Sequence, residues 1–232
     1  MTHCFSRRSF LKGSAAAAAA LTSPLLPADA AFSETENGLF SPVSVLCQTQ
    51  YGPVRGREGK NGLLCWYGIP YGAAPTGESR WTAPQEPACW LTVRDCTSPA
   101  PAAYQYTTFP LGTEDCLTLD VYSSSDAKKR PVLVYLHGSA ATGSSLELPG
   151  CELVRDAGCV FVALNYRLGL FGWNCLPALT ADPDATGNFA LLDIARALDW
   201  VRDNIRRFGG DADNFCALTL YGKGRPTIEV QV

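Results

Sequence analysis

The sequence predicts an α/β fold, and three observations carry that reading. Residues 131–136 and 159–164 are continuous apolar runs, with the length and composition of strands buried on both faces of a sheet. Between residues 188 and 208 apolar residues recur every three or four positions, the period of an amphipathic helix. A third apolar run, 215–220, follows, so strand, helix and strand succeed one another as in a right-handed parallel crossover.

Residues 1–30 read as an export segment. Arg7-Arg8 precede Phe10-Leu11-Lys12, six alanines run from Ala15 to Ala20, and Ala28-Asp29-Ala30 offers small residues for cleavage. Charged, apolar and small stretches in that order define an export signal. The paired arginines resemble the twin-arginine type, which implies passage across the bacterial cytoplasmic membrane to a periplasmic, surface or secreted destination. The apolar run falls short of the ~20 residues a membrane span needs, so no stable span is expected.

Residues 31–42 read as a linker. Across 43–115, Gly and Pro punctuate short apolar runs such as Leu63-Leu64-Cys65-Trp66-Tyr67, the pattern of short strands and ordered loops. Residues 117–122 alternate apolar and polar, as a strand does. The helix is expected to have Asn188 as its N-cap and to bury Leu191, Ala195, Leu198, Val201, Ile205 and Phe208. Gly209-Gly210 stops it.

Hydrophobic residues make up 47% of the chain and charged residues 18%, a balance that excludes a disordered protein. The net charge is −3, and the basic clusters Lys128-Lys129-Arg130 and Arg206-Arg207 are isolated, which excludes a nucleic-acid footprint. Losing residues 1–30 removes Arg7, Arg8 and Lys12 against one acid, Asp29, so the exported body is more acidic still. Of ten cysteines Cys4 leaves with the signal; none of the others forms a Cys-x-x-Cys pair, and His137 is the only histidine beyond His3. No metal site and no cofactor are expected. Outside the cytoplasm disulfides become possible, and the odd number left after processing leaves at least one thiol free or paired with a segment not present here.

Several segments occur together in one order. They are Gly68-Ile69-Pro70-Tyr71-Gly72-Ala73-Ala74-Pro75 with Arg80-Trp81, Glu114-Asp115-Cys116-Leu117-Thr118-Leu119-Asp120-Val121, Asn165-Tyr166-Arg167-Leu168-Gly169, and Gly187-Asn188-Phe189 through Trp200-Val201 and Asn204-Ile205 to Phe208-Gly209-Gly210-Asp211. Across roughly residues 47–222 they resemble the type-B carboxylesterase, or cholinesterase-like, family. The resemblance implies the N-terminal portion of an α/β-hydrolase fold, with a mostly parallel central sheet flanked by helices. It implies a partial domain over 43–224, cut at the nucleophile turn, and a small-molecule ester as substrate. Residues 225–232 then read as an unrelated tail, such as a frameshift or truncation produces. Strand 215–220, interior in the family, is expected here to lie exposed at the sheet edge.

The resemblance also distributes roles. Ester hydrolysis needs an activated serine, a histidine backed by an acid, and N–H donors for the oxyanion. His137-Gly138-Ser139-Ala140 corresponds to the oxyanion-hole loop, with Ser139 and Ala140 as donors and His137 a structural residue rather than the base. Ser139 stands where the family has glycine and is expected to bend or crowd the loop. The nucleophile belongs in Gly-x-Ser-x-Gly, yet Gly222-Lys223-Gly224 puts Gly224 in the serine's place. No catalytic constellation is complete. Asp115, Asp193 and Asp211 are expected to fix turns and a helix. Cys116 matches a family half-cystine; Cys96 is the nearest candidate partner, and a buried free thiol is the alternative. The first reading is therefore the front of an exported carboxylic-ester hydrolase, inactive as written. The others are a non-catalytic cholinesterase-like binding or adhesion module, and a broken gene product.

Overall fold

A computed structural model describes residues 40–148, 150–176, 187–221 and 225–231. The export segment 1–30, nearly all of the linker 31–42 and the nucleophile position Gly224 lie outside the described residues.

The strands are β1 (Phe40–Gln48), β2 (Pro53–Gly59), β3 (Leu63–Pro70), β4 (Arg94–Asp95), β5 (Gln105–Tyr106), β6 (Pro110–Leu111), β7 (Thr118–Ser124), β8 (Arg130–Leu136), β9 (Val160–Leu164), β10 (Gly210–Tyr221) and β11 (Arg225–Gln231). One sheet runs β1-β2-β3-β7-β9-β8-β10-β11, with β4 paired to β2; β5 and β6 form a separate hairpin. Neighbours from β1 to β9 along this path are antiparallel, while β9-β8-β10 is parallel. The sheet is thus mixed, and its parallel centre coincides with the helical connections. Helix α1 (Gly150–Ala157) links β8 to β9; α2 (Gly169–Gly172) and α3 (Phe189–Asn204) link β9 to β10. Parallel neighbours require such crossovers.

Strand β10 is not an edge. Strand β11 pairs antiparallel along it, with Leu218 opposite Ile228 and Leu220 opposite Pro226. This corrects the exposed edge expected above. Thr227-Ile228-Glu229-Val230-Gln231 alternates as a strand does, and its pairing satisfies backbone groups that β10 would otherwise leave open.

All five residues of β9 are buried, as the apolar run implied. Strand β7 is buried on both faces despite its polar residues. Asp120 Oδ1 accepts the Gly68 N–H at 2.8 Å, and Ser123 Oγ donates to the Phe208 carbonyl at 2.6 Å. These bonds replace the water that the alternating pattern implied.

Helix α3 buries Phe189, Ala190, Asp193, Ala197, Trp200, Val201 and Asn204, while Leu191 is 53% exposed and Ala195 faces solvent. The buried face is rotated from the expected one because two polar residues belong to it. Asp193 meets Arg167, and Asn204 Oδ1 accepts the Gln50 N–H at 2.8 Å. Asn188 occupies the N-cap position, but its side chain makes no capping bond. Beyond a 3-10 turn at Ile205–Phe208, Gly209 has φ 85°, and a Cβ there would lie 2.5 Å from the Ala127 carbonyl oxygen. Only glycine closes the helix this way. Helix α3 packs one sheet face against Trp66, Leu119, Val134 and Val162; α1 packs the other against Tyr122, Tyr135 and Phe161.

Candidate active site

Open α/β sheets bind ligands beyond the carboxyl ends of their parallel strands. Here the loop from His137 to Leu148 leaves that end of β8. His137 is 2% exposed. Its ring stacks on Tyr166, with centroids 4.0 Å apart and 10° between planes, and the Tyr166 hydroxyl donates to its carbonyl. Burial pushes its pKa down to about 4, so it is neutral at pH 7. Neither ring nitrogen has a hydrogen-bond partner among the described residues. A general base must reach the proton it takes; this imidazole is packed against a ring instead.

Every buried N–H needs an acceptor, and those that follow can be accounted for one by one. Ser139 Oγ accepts from Ala141 N at 3.2 Å and from Thr142 N at 3.1 Å. Gly143 N donates to Gln105 Oε1 at 2.9 Å, Ser144 N to Glu147 Oε1 at 3.3 Å, and Ser145 N to Asn165 Oδ1 at 2.9 Å. Leu146 N and Glu147 N donate to Ser144 Oγ and Ser144 O. The N–H groups of Gly138, Ser139 and Ala140 have no acceptor among the described residues. Gly138 and Ala140 are exposed and Ser139 half-buried.

Neither Gly138 nor Ser139 has a positive φ. The serine expected to bend or crowd the loop therefore carries no backbone strain. It turns its hydroxyl inward and caps the next two amides, as Ser does in local turns.

Two further contacts hold the loop. Gly169 N donates to the Ala140 carbonyl at 2.8 Å. Glu147 accepts from the Tyr135 hydroxyl at 2.6 Å, and burial raises its pKa.

Next to the loop, Arg167 and Asp193 form a buried pair, 2% and 0% exposed, joined at 2.6 and 2.8 Å. Arg167 Nη1 also donates to the carbonyls of Arg80 and Thr82, both at 3.0 Å. Arg80 in turn forms a forked pair with Glu114 at 2.5 and 2.9 Å. Asp193 thus anchors the segment after β9 to α3. Asp211 accepts from Asp213 N at 3.2 Å, and Asp115 N donates to Thr113 Oγ1 at 3.3 Å. A shallow, open depression with room for little more than a water molecule lies here, lined by Pro75, Tyr104, Glu114, Arg167, Leu168 and Phe171.

Cys96 and Cys116 are not joined; each is a buried free thiol. The backbone of Cys96 is fixed between β2 and β3, donating to the Arg55 carbonyl and accepting from Tyr67 N, both at 2.8 Å. Cys116 sits in a turn whose amide donates to the Glu114 carbonyl at 2.9 Å, in the field of Asp193 and Arg167. Both belong to the core cluster on the α3 side of the sheet and are unbonded there, the alternative that the sequence left open.

The sequence reading did not single out Gln105, Glu147 or the side chain of Asn165. Asn165 lay in a matched motif, but its bonds to Ser145 depend on tertiary placement. Gln105 lies in no motif. Among the described residues no group of three or more His, Cys, Asp or Glu is placed to hold a metal ion, and no helix is long and apolar enough to cross a membrane.

Comparison with known proteins places these features. Residues 4–24 match the twin-arginine translocation signal, which indicates export across the cytoplasmic membrane. Para-nitrobenzyl esterase of Bacillus subtilis is 40% identical over 187 residues, 75% of this chain and 37% of that protein. Carboxylesterase 4A of Bos taurus is 34% identical over 82% of this chain and 37% of its own length. A solved structure of PNB esterase superimposes with TM-score 0.69 at 39% identity, over 75% of this chain and 37% of that one. The chain thus spans little more than a third of these relatives. Residues 43–224 match the carboxylesterase family, and with these likenesses they show that the chain belongs to it, as a type-B carboxylesterase with the α/β-hydrolase fold.

Proposed function

We propose that these residues are the oxyanion-binding front of an exported carboxylic-ester hydrolase, and that the 232-residue chain by itself turns over no ester. One observation carries the reading. From Ala141 to Glu147 every backbone N–H is given to an internal acceptor, while Ser139 and Ala140 keep theirs for a ligand. A carbonyl oxygen becoming an oxyanion is stabilised by preorganised donors of this kind. The relatives' names, para-nitrobenzyl esterase and fumonisin B1 esterase among them, support an ester as substrate class.

The reacting groups are the part this chain lacks. Gly224 carries no hydroxyl, no histidine follows His137, and His137 is packed on Tyr166. Gly224 also favours a second reading, a non-catalytic module that binds esters or carboxylates. Sequencing the DNA past codon 221 in all frames separates the two. A Gly-x-Ser-x-Gly in a shifted frame, followed by an acid and a histidine, supports the hydrolase. Family sequence resuming in frame beyond codon 232 supports the binding module and overturns the hydrolase reading.

A further inference from the structure

Gln105 lies on the β5–β6 hairpin, 7% exposed. Its amide meets the backbone of Gly143 in both directions. Gly143 N donates to Oε1 at 2.9 Å, and Nε2 donates to the Gly143 carbonyl at 2.9 Å. Nε2 also donates to the Ala103 carbonyl at 3.1 Å. Two residues exchanging both bonds is the pattern of a hydrogen-bonded antiparallel pair. Here one side chain takes the place of a strand.

Gly143 is where the loop most needs such a hold. Its φ is 140°, and a Cβ would lie 2.5 Å from His137 Nδ1 and 2.9 Å from Glu147 Oε1. Glycine is required, and glycine is the residue with the most freedom to lose on folding. The turn capped by Ser139 ends at Thr142, next to this residue, so its far end is held through Gly143.

We propose that Gln105 is the positioning residue of the loop: it acts through Gly143 to hold the N–H groups of Ser139 and Ala140 on their ligand. The proposal rests on the oxyanion reading of those two amides. It also ties the loop to the hairpin, whose Tyr104 packs edge-on against Phe171, with centroids 5.4 Å apart.

The test uses the ¹⁵N-labelled full chain, with amide exchange corrected for intrinsic rates and acetate as oxyanion mimic. Gln105→Leu removes both bonds. It should lower protection of the Gly143 amide about tenfold or more and weaken the acetate-induced shifts of Ser139 and Ala140, with Val162 in β9 unaffected. Gln105→Glu adds a readout that loss of packing cannot mimic. A protonated carboxyl can both donate and accept, whereas a carboxylate only accepts and repels the Gly143 and Ala103 carbonyls. The carboxylate still accepts the Gly143 N–H but leaves the Gly143 carbonyl without its donor, so relative to the parent the ¹⁵N shift of Ser144, which follows that carbonyl, should move at neutral pH and return on acidification. Unchanged Gly143 protection in Gln105→Leu overturns the proposal. So does a loosened Gly143 with a parental acetate response. If acetate moves neither amide in the parent chain, the oxyanion reading fails, and Gly143 protection alone decides the hold by Gln105.

Discussion

The ring of His137 lies face to face on that of Tyr166, and the Tyr166 hydroxyl donates to the carbonyl of the same histidine. The imidazole is held where burial lowers its pKa from 6.5 to about 4. Between those values the unfolded chain binds a proton and the folded chain does not, so stability falls as pH drops from 6.5 towards 4. By pH 5 the loss is about 2 kcal/mol. Glu147, its pKa raised by burial, offsets part of this because the folded state takes up its proton more readily. His137→Phe keeps a ring on Tyr166 and should flatten the decline in melting temperature between pH 7 and pH 5. An equal decline in both proteins would place the pH sensitivity elsewhere.

Asp193 neutralises a guanidinium that is sealed from water. Burial raises the carboxyl's pKa, and the Arg167 bonds pull it back. Asp193→Ala leaves Arg167 buried with only carbonyl acceptors and should cost about 3–5 kcal/mol in urea unfolding. The double change Arg167→Met with Asp193→Leu should cost less than Asp193→Ala alone, because no charge is left stranded. A double change costlier than the single would mean that the bonds to the Arg80 and Thr82 carbonyls dominate.

The thiols divide by exposure. Cys89 and Cys175 are exposed, while Cys96, Cys116 and Cys159 are buried. Burial pushes the Cys96 pKa up to about 12 and raises that of Cys116 as well. Native protein should be alkylated first at Cys89 and Cys175, since the thiolate is the reactive form. Denatured, unreduced exported protein should then show Cys96 and Cys116 alkylated as two separate peptides. A Cys96–Cys116 linked peptide would contradict the structure.

No release of p-nitrophenol from short-chain esters above background, and no stoichiometric labelling by a fluorophosphonate, is expected of the 232-residue chain. Gly224→Ser alone should restore neither, since no histidine stands ready to take the serine's proton. A labelled serine with turnover would show that the nucleophile lies elsewhere in the chain.

What was legible in the sequence was what local pattern determines. Strand β9 is buried on both faces, and β8 exposes no residue fully, so both read as continuous apolar runs. Helix α3 was legible in extent and less so in orientation. Asp193 and Asn204 turn inward because their partners, Arg167 and the Gln50 amide, lie far off in the chain, which periodicity cannot register. Strand β11 has its own alternation, but the family pattern offered no place for it. Ser139 looked like a defect against a glycine template; only the loop's dihedrals and the inward hydroxyl reveal a cap. Gln105 left no signal, because its partner Gly143 is a backbone contact made across a hairpin.

The central claim is that Ser139 and Ala140 present their N–H groups to an anion while the amides after them are taken. ¹H–¹⁵N spectra of the chain titrated with acetate test it most directly. The Ser139 and Ala140 resonances should move downfield together along one saturating curve, with those of Ala141, Thr142, Gly143 and Ser145 nearly still. Acetate that leaves Ser139 and Ala140 unmoved, or that moves Ala141 and Thr142 instead, would contradict the account.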